Sequence, residues 1–205
     1  MKLAVAVCAL IAGAAVAPAQ AQNMLTNPGF ESGLSGWTPF GNVFAESVTP
    51  RTGSGVAKMF GNWSGGFNVS GFFQTFPAAP GQNWSFEGYL RHNTGDNMVG
   101  TGIPNGGSGN WVIAKMEFRD ASDTAVGFVE SAPVDGTSPT DVWLQRSVSL
   151  TAPANTVSVW AFFLYLQPQF DGGAILVDDA RLIPAPGFGA VAGGALVAFA
   201  RRRRR

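Results

Sequence analysis

The sequence predicts an all-β fold, a β-sandwich, and three observations carry that expectation. From Asn23 to Ile183 no segment keeps an apolar stripe at helical spacing for three turns. Short runs rich in Val, Phe, Trp, Thr and Tyr recur between Gly, Pro and Asn clusters instead. The one cysteine, Cys8, lies in the N-terminal leader, so residues 23–183 hold no disulfide or thiolate metal site. Stability must come from a packed core, and about 160 residues suffice for one.

The elements follow in chain order. "NPGFESGLSGW", Asn27 to Trp37, cannot be helical, because Pro28, Gly29, Gly33 and Gly36 interrupt any 3.6-residue pattern. It reads as a short strand ending at Phe30, a turn, and a second strand beginning at Trp37. Further strands are expected at 37–48, 56–60, 67–76, 83–92, 111–119, 125–130, 142–151, 156–166 and 173–183. Between His92 and Trp111 lies a long loop, "NTGDNMVGTGIPNGGSGN". Nine or so short strands so spaced point to two packed sheets.

The two ends have a different character. Lys2, the apolar run Leu3–Val16 and the small residues of "APAQA" read as a secretory signal over 1–21, cut after Ala21 or Ala19. After Leu182 come the prolines Pro184 and Pro186, fourteen apolar residues from Gly187 to Ala200, and five arginines. As a short apolar helix that run spans about 21 Å, less than the roughly 30 Å of a hydrocarbon core. Its arginines obey the positive-inside rule, so it predicts transient membrane association during export. Setting aside Lys2 and the terminal arginines leaves seven basic against 13 acidic residues, a balance of about −6. That excludes nucleic acid as the expected partner.

The tail 184–205 resembles the PEP-CTERM sorting signals of bacteria, although Pro184-Ala185-Pro186 lacks their central glutamate. The resemblance implies an exosortase-type processing enzyme as partner, and a location at the cell surface or in the extracellular matrix. The body resembles a second family. "NPGFESGLSGWTPFG", "GFFQTFPAAPGQNWSFEGYLRH", "VIAKMEFRDASDTAVG", "VWLQRSVSLTAPANTVSVWAFF" and "GGAILVDDARL" are similar to CenC-type carbohydrate-binding modules. The likeness covers 23–183 and implies a galactose-binding-like jelly roll that binds polysaccharide without turning it over.

Strand alternation nominates a binding surface. Trp84, Phe86 and Leu90 share one parity, which leaves Glu87, Tyr89 and Arg91 outside. Val112, Ala114, Met116 and Phe118 face the core, which leaves Trp111, Lys115, Glu117 and Arg119 outside. Val157, Val159, Ala161 and Phe163 point inward, so Trp160 and Phe162 point out unless a bulge shifts the register. Aromatic plates among charged groups suit a glycan: rings cover the C–H faces of a pyranose, and charges hydrogen-bond its hydroxyls. The alternative is an outer face closed by the long loop, its charges paired to each other. Trp63, in "GNWSGG", is a second platform, whereas Trp37, Trp84 and Trp143 read as core.

Acidic residues nominate a metal site. Parity along "ILVDDARL" places Asp178 with Leu176, Ala180 and Leu182, facing inward, and Asp179 opposite. An inward carboxylate must be paired, and two acids in close quarters need a cation between them. Calcium suits oxygen ligands outside the cell. The resemblance implies a structural calcium held by Glu31, by backbone oxygens of the Gly53–Gly55 loop, and by Asp178 or Asp179. Alternatively, Glu31 is an exposed turn residue and the aspartates cap a strand end. No catalytic residue is assigned. His92, the single histidine, reads as a surface or edge residue, and no G-x-S-x-G elbow is present. The expected function is non-catalytic contact with polysaccharide, the alternatives being a matrix protein that uses the same scaffold for protein contacts and a glycan-active hydrolase.

Overall fold

A computed structural model describes residues 22–185. The leader 1–21 and the apolar, arginine-ended part of the tail lie outside the described residues. Among the described residues eleven strands follow in chain order: β1 Thr38–Phe40, β2 Asn42–Glu46, β3 Val56–Phe60, β4 Asn68–Pro77, β5 Asn83–Arg91, β6 Trp111–Arg119, β7 Ala125–Glu130, β8 Val134–Asp135, β9 Leu144–Thr151, β10 Ser158–Gln167 and β11 Ala174–Ala185. They build two antiparallel sheets, a jelly-roll sandwich. One sheet runs β1-β4-β10-β6-β7, with β8 pairing β6; the other runs β2-β3-β11-β5-β9.

The first expected strand breaks into β1 and β2 at Gly41, and the two halves enter different sheets. Gly41 has φ +67°, and a side chain there would meet Ser70 at 2.5 Å. The Ser70 hydroxyl in turn accepts the Asn42 amide at 2.9 Å. Only glycine permits this crossing. The stretch Asn27–Trp37 is a string of turns with no strand at Phe30, a correction to the short strand expected there, whereas the strand expected from Trp37 begins at Thr38. Asn27 holds it: its Nδ2 donates to the carbonyls of Gly33 and Ser35, and its Oδ1 accepts the Ser32 amide. The turns press Phe30 against Trp37, with ring centroids 5.4 Å apart, and both pack on Phe72. Phe163 and Phe86 continue this aromatic core between the sheets.

At its C-terminal end β11 runs past the expected boundary. Pro184 and Ala185, assigned to the sorting motif, pair with Trp84 and Asn83 of β5. Strand alternation along β5 and β10 is regular, with buried and half-buried residues in strict succession. Along β11 it is not, because a bulge shifts the register between Asp178 and Arg181.

His92 corrects its reading as a surface residue. It is fully buried at the end of β5, where its Nε2 meets the Ser138 carbonyl at 3.0 Å and its Nδ1 has no partner. It thereby secures the segment after β8 rather than facing solvent. The long loop after it is ordered by Asp135, a residue without any role in the sequence reading. Its carboxylate accepts the Gly102 amide, the Asn105 side chain, and both the amide and hydroxyl of Thr137. Burial pushes this carboxyl up, but those four donors outweigh it and hold the group at about 2.

A depressed folded value means the clamp stabilises fully above the free carboxyl's range and is lost as pH falls toward 2. Unfolding followed by denaturant from pH 6 to pH 2 should therefore show a loss of about 2 kcal/mol over that window that Asp135→Asn lacks. Equal pH slopes in the two proteins would remove the clamp.

Candidate functional site

The nominated binding residues do not share one surface. Glu87, Tyr89 and Arg91 stand on the outer face of the five-stranded sheet, on β5. Trp111, Lys115, Glu117 and Trp160 belong to β6 and β10 of the six-stranded sheet. The sandwich core separates the two groups. Alternation reports which side of its own sheet a residue takes, and says nothing about which sheet that is.

On the six-stranded sheet the outer face carries a band of rings across three strands. Phe40 of β1 lies 6.3 Å from Phe73 of β4; Phe73 stacks on Trp160 of β10 at 4.9 Å and meets Phe162 at 5.1 Å. These four side chains are all half-buried. The Arg119 guanidinium lies over the Trp160 ring at 4.0 Å, and Lys115 Nζ lies 4.7 Å from the exposed Phe128 ring. Glu117 sits between the two cations, its oxygens taken by Arg119 Nε at 2.8 Å and Lys115 Nζ at 3.0 Å. It is only 7% exposed, so it orients its neighbours and does not present a free carboxylate. Burial draws the Arg119 guanidinium down, but Glu117 and Asp123 raise it further and keep it charged.

Trp111 is corrected from an outer plate to a covered residue. It is buried, its ring 6.1 Å from Phe67. The long loop lies against it so closely that a side chain at Gly102 would reach its Cβ at 2.7 Å. The loop clamp at Asp135 thus closes one end of this face. The band from Phe40 to Trp160 stays open.

Trp63 projects from the β3–β4 loop with φ +47° and is 42% exposed. Its amide donates to Gln167 Oε1 at 2.8 Å, which holds the loop against the end of β10. Its ring rests on Phe60 at 5.3 Å, and Phe60 stacks on Phe44 at 5.4 Å. Trp37 and Trp84 are buried, as expected of core residues, whereas Trp143, also expected in the core, is half-buried.

The acidic corner brings together the residues named for calcium, with a different logic. Glu31 accepts the amides of Ser54 and Gly55 and the Ser54 hydroxyl, at 2.8 to 3.1 Å. The Gly55 amide, the Ser54 amide and the Ser54 hydroxyl, in that order, lower its carboxyl. Its carboxylate fills the space where a Gly53 side chain would stand. Asp178 takes the amides of Arg51 and Thr52 on one oxygen, at 2.7 and 3.2 Å, and the Asp179 amide on the other. Asp179 receives the Arg51 guanidinium and the Thr52 hydroxyl, each at 2.6 Å. Burial raises the Asp178 carboxyl, and the three amides oppose that rise.

Nor does Asp178 point inward. The bulge at Asp179, φ +47°, inverts the alternation, so Ile175, Val177, Ala180 and Leu182 enter the core. Asp178 is left on the outer side, roofed by the turn at Arg51. The loop offers N–H groups to the acids, and Arg51 supplies the positive charge. Among the described residues no three His, Cys, Asp or Glu side chains converge for a metal. As placed, the donors that meet Glu31, Asp178 and Asp179 are N–H groups, hydroxyls and the Arg51 guanidinium.

The comparisons with known proteins agree with this sandwich. No protein-family model matches the chain. A curated relative, endo-1,4-beta-xylanase A of Thermotoga maritima, is 26% identical over 162 residues, which are 75% of this chain and 13% of the xylanase. The chain therefore spans about an eighth of that relative's length. Among solved structures, a xylan-binding domain from CBM 22 superposes with a TM-score of 0.55 at 15% identity, covering 82% of this chain and 97% of that one. The C-terminal family 22 carbohydrate binding module of Clostridium thermocellum Xyn10B gives 0.53 at 15% identity, over 78% and 93%. TmCBM61, solved with beta-1,4-galactotriose, gives 0.52 at 17% identity, over 80% and 99%. The chain shares the jelly-roll sandwich of these solved modules.

The corner sets its own test. Melting in excess chelator and in added calcium should give the same Tm, since the counter-charge is Arg51. Arg51→Ala should lower Tm by about 2–4 °C, as expected for a loss near 1 kcal/mol in a chain of this size. A Tm that rises with calcium in the unaltered protein would overturn the reading.

Proposed function

We propose that the protein is an exported, non-catalytic polysaccharide-binding module whose glycan lies on the outer face of the six-stranded sheet. One observation carries the reading: the open band Phe40–Phe73–Trp160–Phe162, flanked on β6 by Lys115 and Arg119. Rings stacked or tilted against one another across neighbouring strands give a chain of pyranose units successive apolar contacts. The cations keep N–H donors beyond those bound to Glu117, and these meet hydroxyls. The glycans named for the structural neighbours, xylan and beta-1,4-galactotriose, are the first ligands to try.

Turnover needs a poised acid, base or nucleophile, and this band holds none. Its one buried carboxylate, Glu117, is bound on both oxygens, and His92 lies buried in the structure away from both outer faces. Export through the leader 1–21, release by an exosortase-type enzyme acting on the tail, and residence at a bacterial surface or in its matrix complete the proposal. Their support is the composition of the two termini.

A second reading, a matrix protein making protein contacts, draws on the exposed rings of Phe44, Phe67 and Phe170. Light scattering of the purified protein without glycan distinguishes it, because self-association in the absence of sugar favours this second reading.

Electrophoresis through gels containing soluble xylan or beta-1,4-galactan should retard the protein. Trp160→Ala should weaken that retention about tenfold, equivalent to ~1.4 kcal/mol. Equal retention of Trp160→Ala and the unaltered protein in both gels would sink the assignment of this face.

A further inference from the structure

We propose that the opposite face carries a second, independent saccharide site around Tyr89, so that one molecule can bridge two polysaccharide chains. This inference rests on the polysaccharide reading above but uses a different sheet and different residues.

The site is a cleft of about 360 Å³ on the five-stranded sheet, lined among others by Arg51, Glu87, Tyr89 and Arg181. That volume falls in the ~300–1,000 Å³ range of small-ligand clefts. The β11 bulge shapes it. Two residues, Asp179 and Ala180, lie between Asp178, opposite Tyr89, and Arg181, opposite Glu87; Ala180 packs into the core, and the small residue leaves the floor of the cleft low at the bulge. Tyr89 stands immediately beside this bulge.

The polar groups of the cleft divide into committed and available. Arg51 lies over the Tyr89 ring, with its guanidinium carbon 3.5 Å from the centroid, and is tied to Asp179 at 2.6 Å. It fixes the ring and covers one of its faces. Glu87 is oriented by Gln145 Nε2 at 2.9 Å. Arg181 reaches Glu87 only at 3.5 Å, and its side chain is 55% exposed. A carboxylate held in place, a guanidinium with unused donors, and a half-buried phenol ring thus stand side by side. Vicinal hydroxyls of a sugar both donate and accept, so they satisfy the Glu87–Arg181 pair together while a C–H face meets the aromatic.

Charge selects among saccharides. Two guanidinium groups, Arg51 and Arg181, balance two carboxylates, Glu87 and Asp179. A polyanion gains no net attraction here and meets two acids, so the ligand class is a neutral hexose or pentose chain. The two sites also face opposite directions across a sandwich whose sheets are spaced by about 10 Å. A glycan lying along one face leaves the other free for a second chain, which is the geometry of a cross-linker rather than of an avidity-enhanced binder.

Calorimetric titration with beta-1,4-galactotriose and with xylohexaose should give two sites for the protein, and one each for Trp160→Ala and for the double variant Glu87→Gln/Arg181→Ala. Long-chain galactan or xylan mixed with the protein should become turbid, and neither variant should produce turbidity. Both altered side chains of the double variant lie at the surface, and its unchanged Tm checks that the fold is intact. One site lost only on Trp160→Ala, with the double variant binding like the unaltered protein, would overturn the second site and leave the first reading standing. Loss of all binding in the double variant, with Trp160→Ala unaffected, would move the single site to Tyr89 and overturn both the bridging and the first face. If neither sugar binds any of the three proteins, both proposals fall.

Discussion

The hydrogen bonds that the amides of Arg51 and Thr52 give to Asp178 are the constraint on which the rest depends. A carboxylate with no exposed surface is tolerable only when its lone pairs are filled, and here the β2–β3 loop fills them. In doing so it roofs β11 at its bulge and brings Ser54 and Gly55 to Glu31 in the opening turn. Three segments far apart in sequence, around residues 29, 52 and 178, therefore close on one another. The Ala180 amide donating to the Pro28 carbonyl, and Asn23 bonding Ala180 and Leu182, extend that closure along the last strand. In a described chain without cysteine, this polar seam does the work that a disulfide between the termini often does in secreted domains.

The strands were legible because the core demands it. Inward Trp84, Phe86 and Leu90 on β5, and Val159, Ala161, Phe163 and Tyr165 on β10, recur at alternate positions and leave little choice of element or of facing. Three features escaped that logic for separate physical reasons. The bulge in β11 adds a residue without any change in composition, so Asp178 reads inward and stands outward. Gly41 looks like one more turn glycine, yet it passes the chain from sheet to sheet, a fact set by its contact with Ser70. The cover over Trp111 comes from a loop whose glycines advertise freedom, although Asp135, thirty-three residues from Gly102, fixes it in place.

The candidate site was legible as residue types and not as a place. Tyr89 and Trp160 both read as outer aromatics and both are half-buried, but the strand order puts them on opposite faces. Pairing partners decide this: β10 lies between β4 and β6, and β5 between β11 and β9. No spacing along the chain encodes which long-range partner a strand takes. The same holds for Lys115, Glu117 and Arg119, whose parity is right while their mutual pairing depends on rotamers.

The two faces differ in kind, and the difference follows from what covers each sheet. On the six-stranded sheet the loops fold over one end only, so Phe73, Trp160 and Phe162 keep part of their surface in water with no partner element among the described residues to cover it. Leaving that much aromatic area wet forgoes burial worth about 25 cal/mol per Å². A stable sandwich has no need of it, since polar residues at those outward positions would serve β4 and β10 equally well. The outer face of the five-stranded sheet is mixed: Arg51–Asp179, Lys58–Asp96 and Arg91–Asp141 each join a strand to a loop, Arg181–Glu87 joins β11 to β5, and the rings of Phe44, Phe60 and Trp63 lie beside them. The ring band on β4 and β10 is likewise not required by folding, and a ligand with apolar faces and polar edges is what makes it physically sensible.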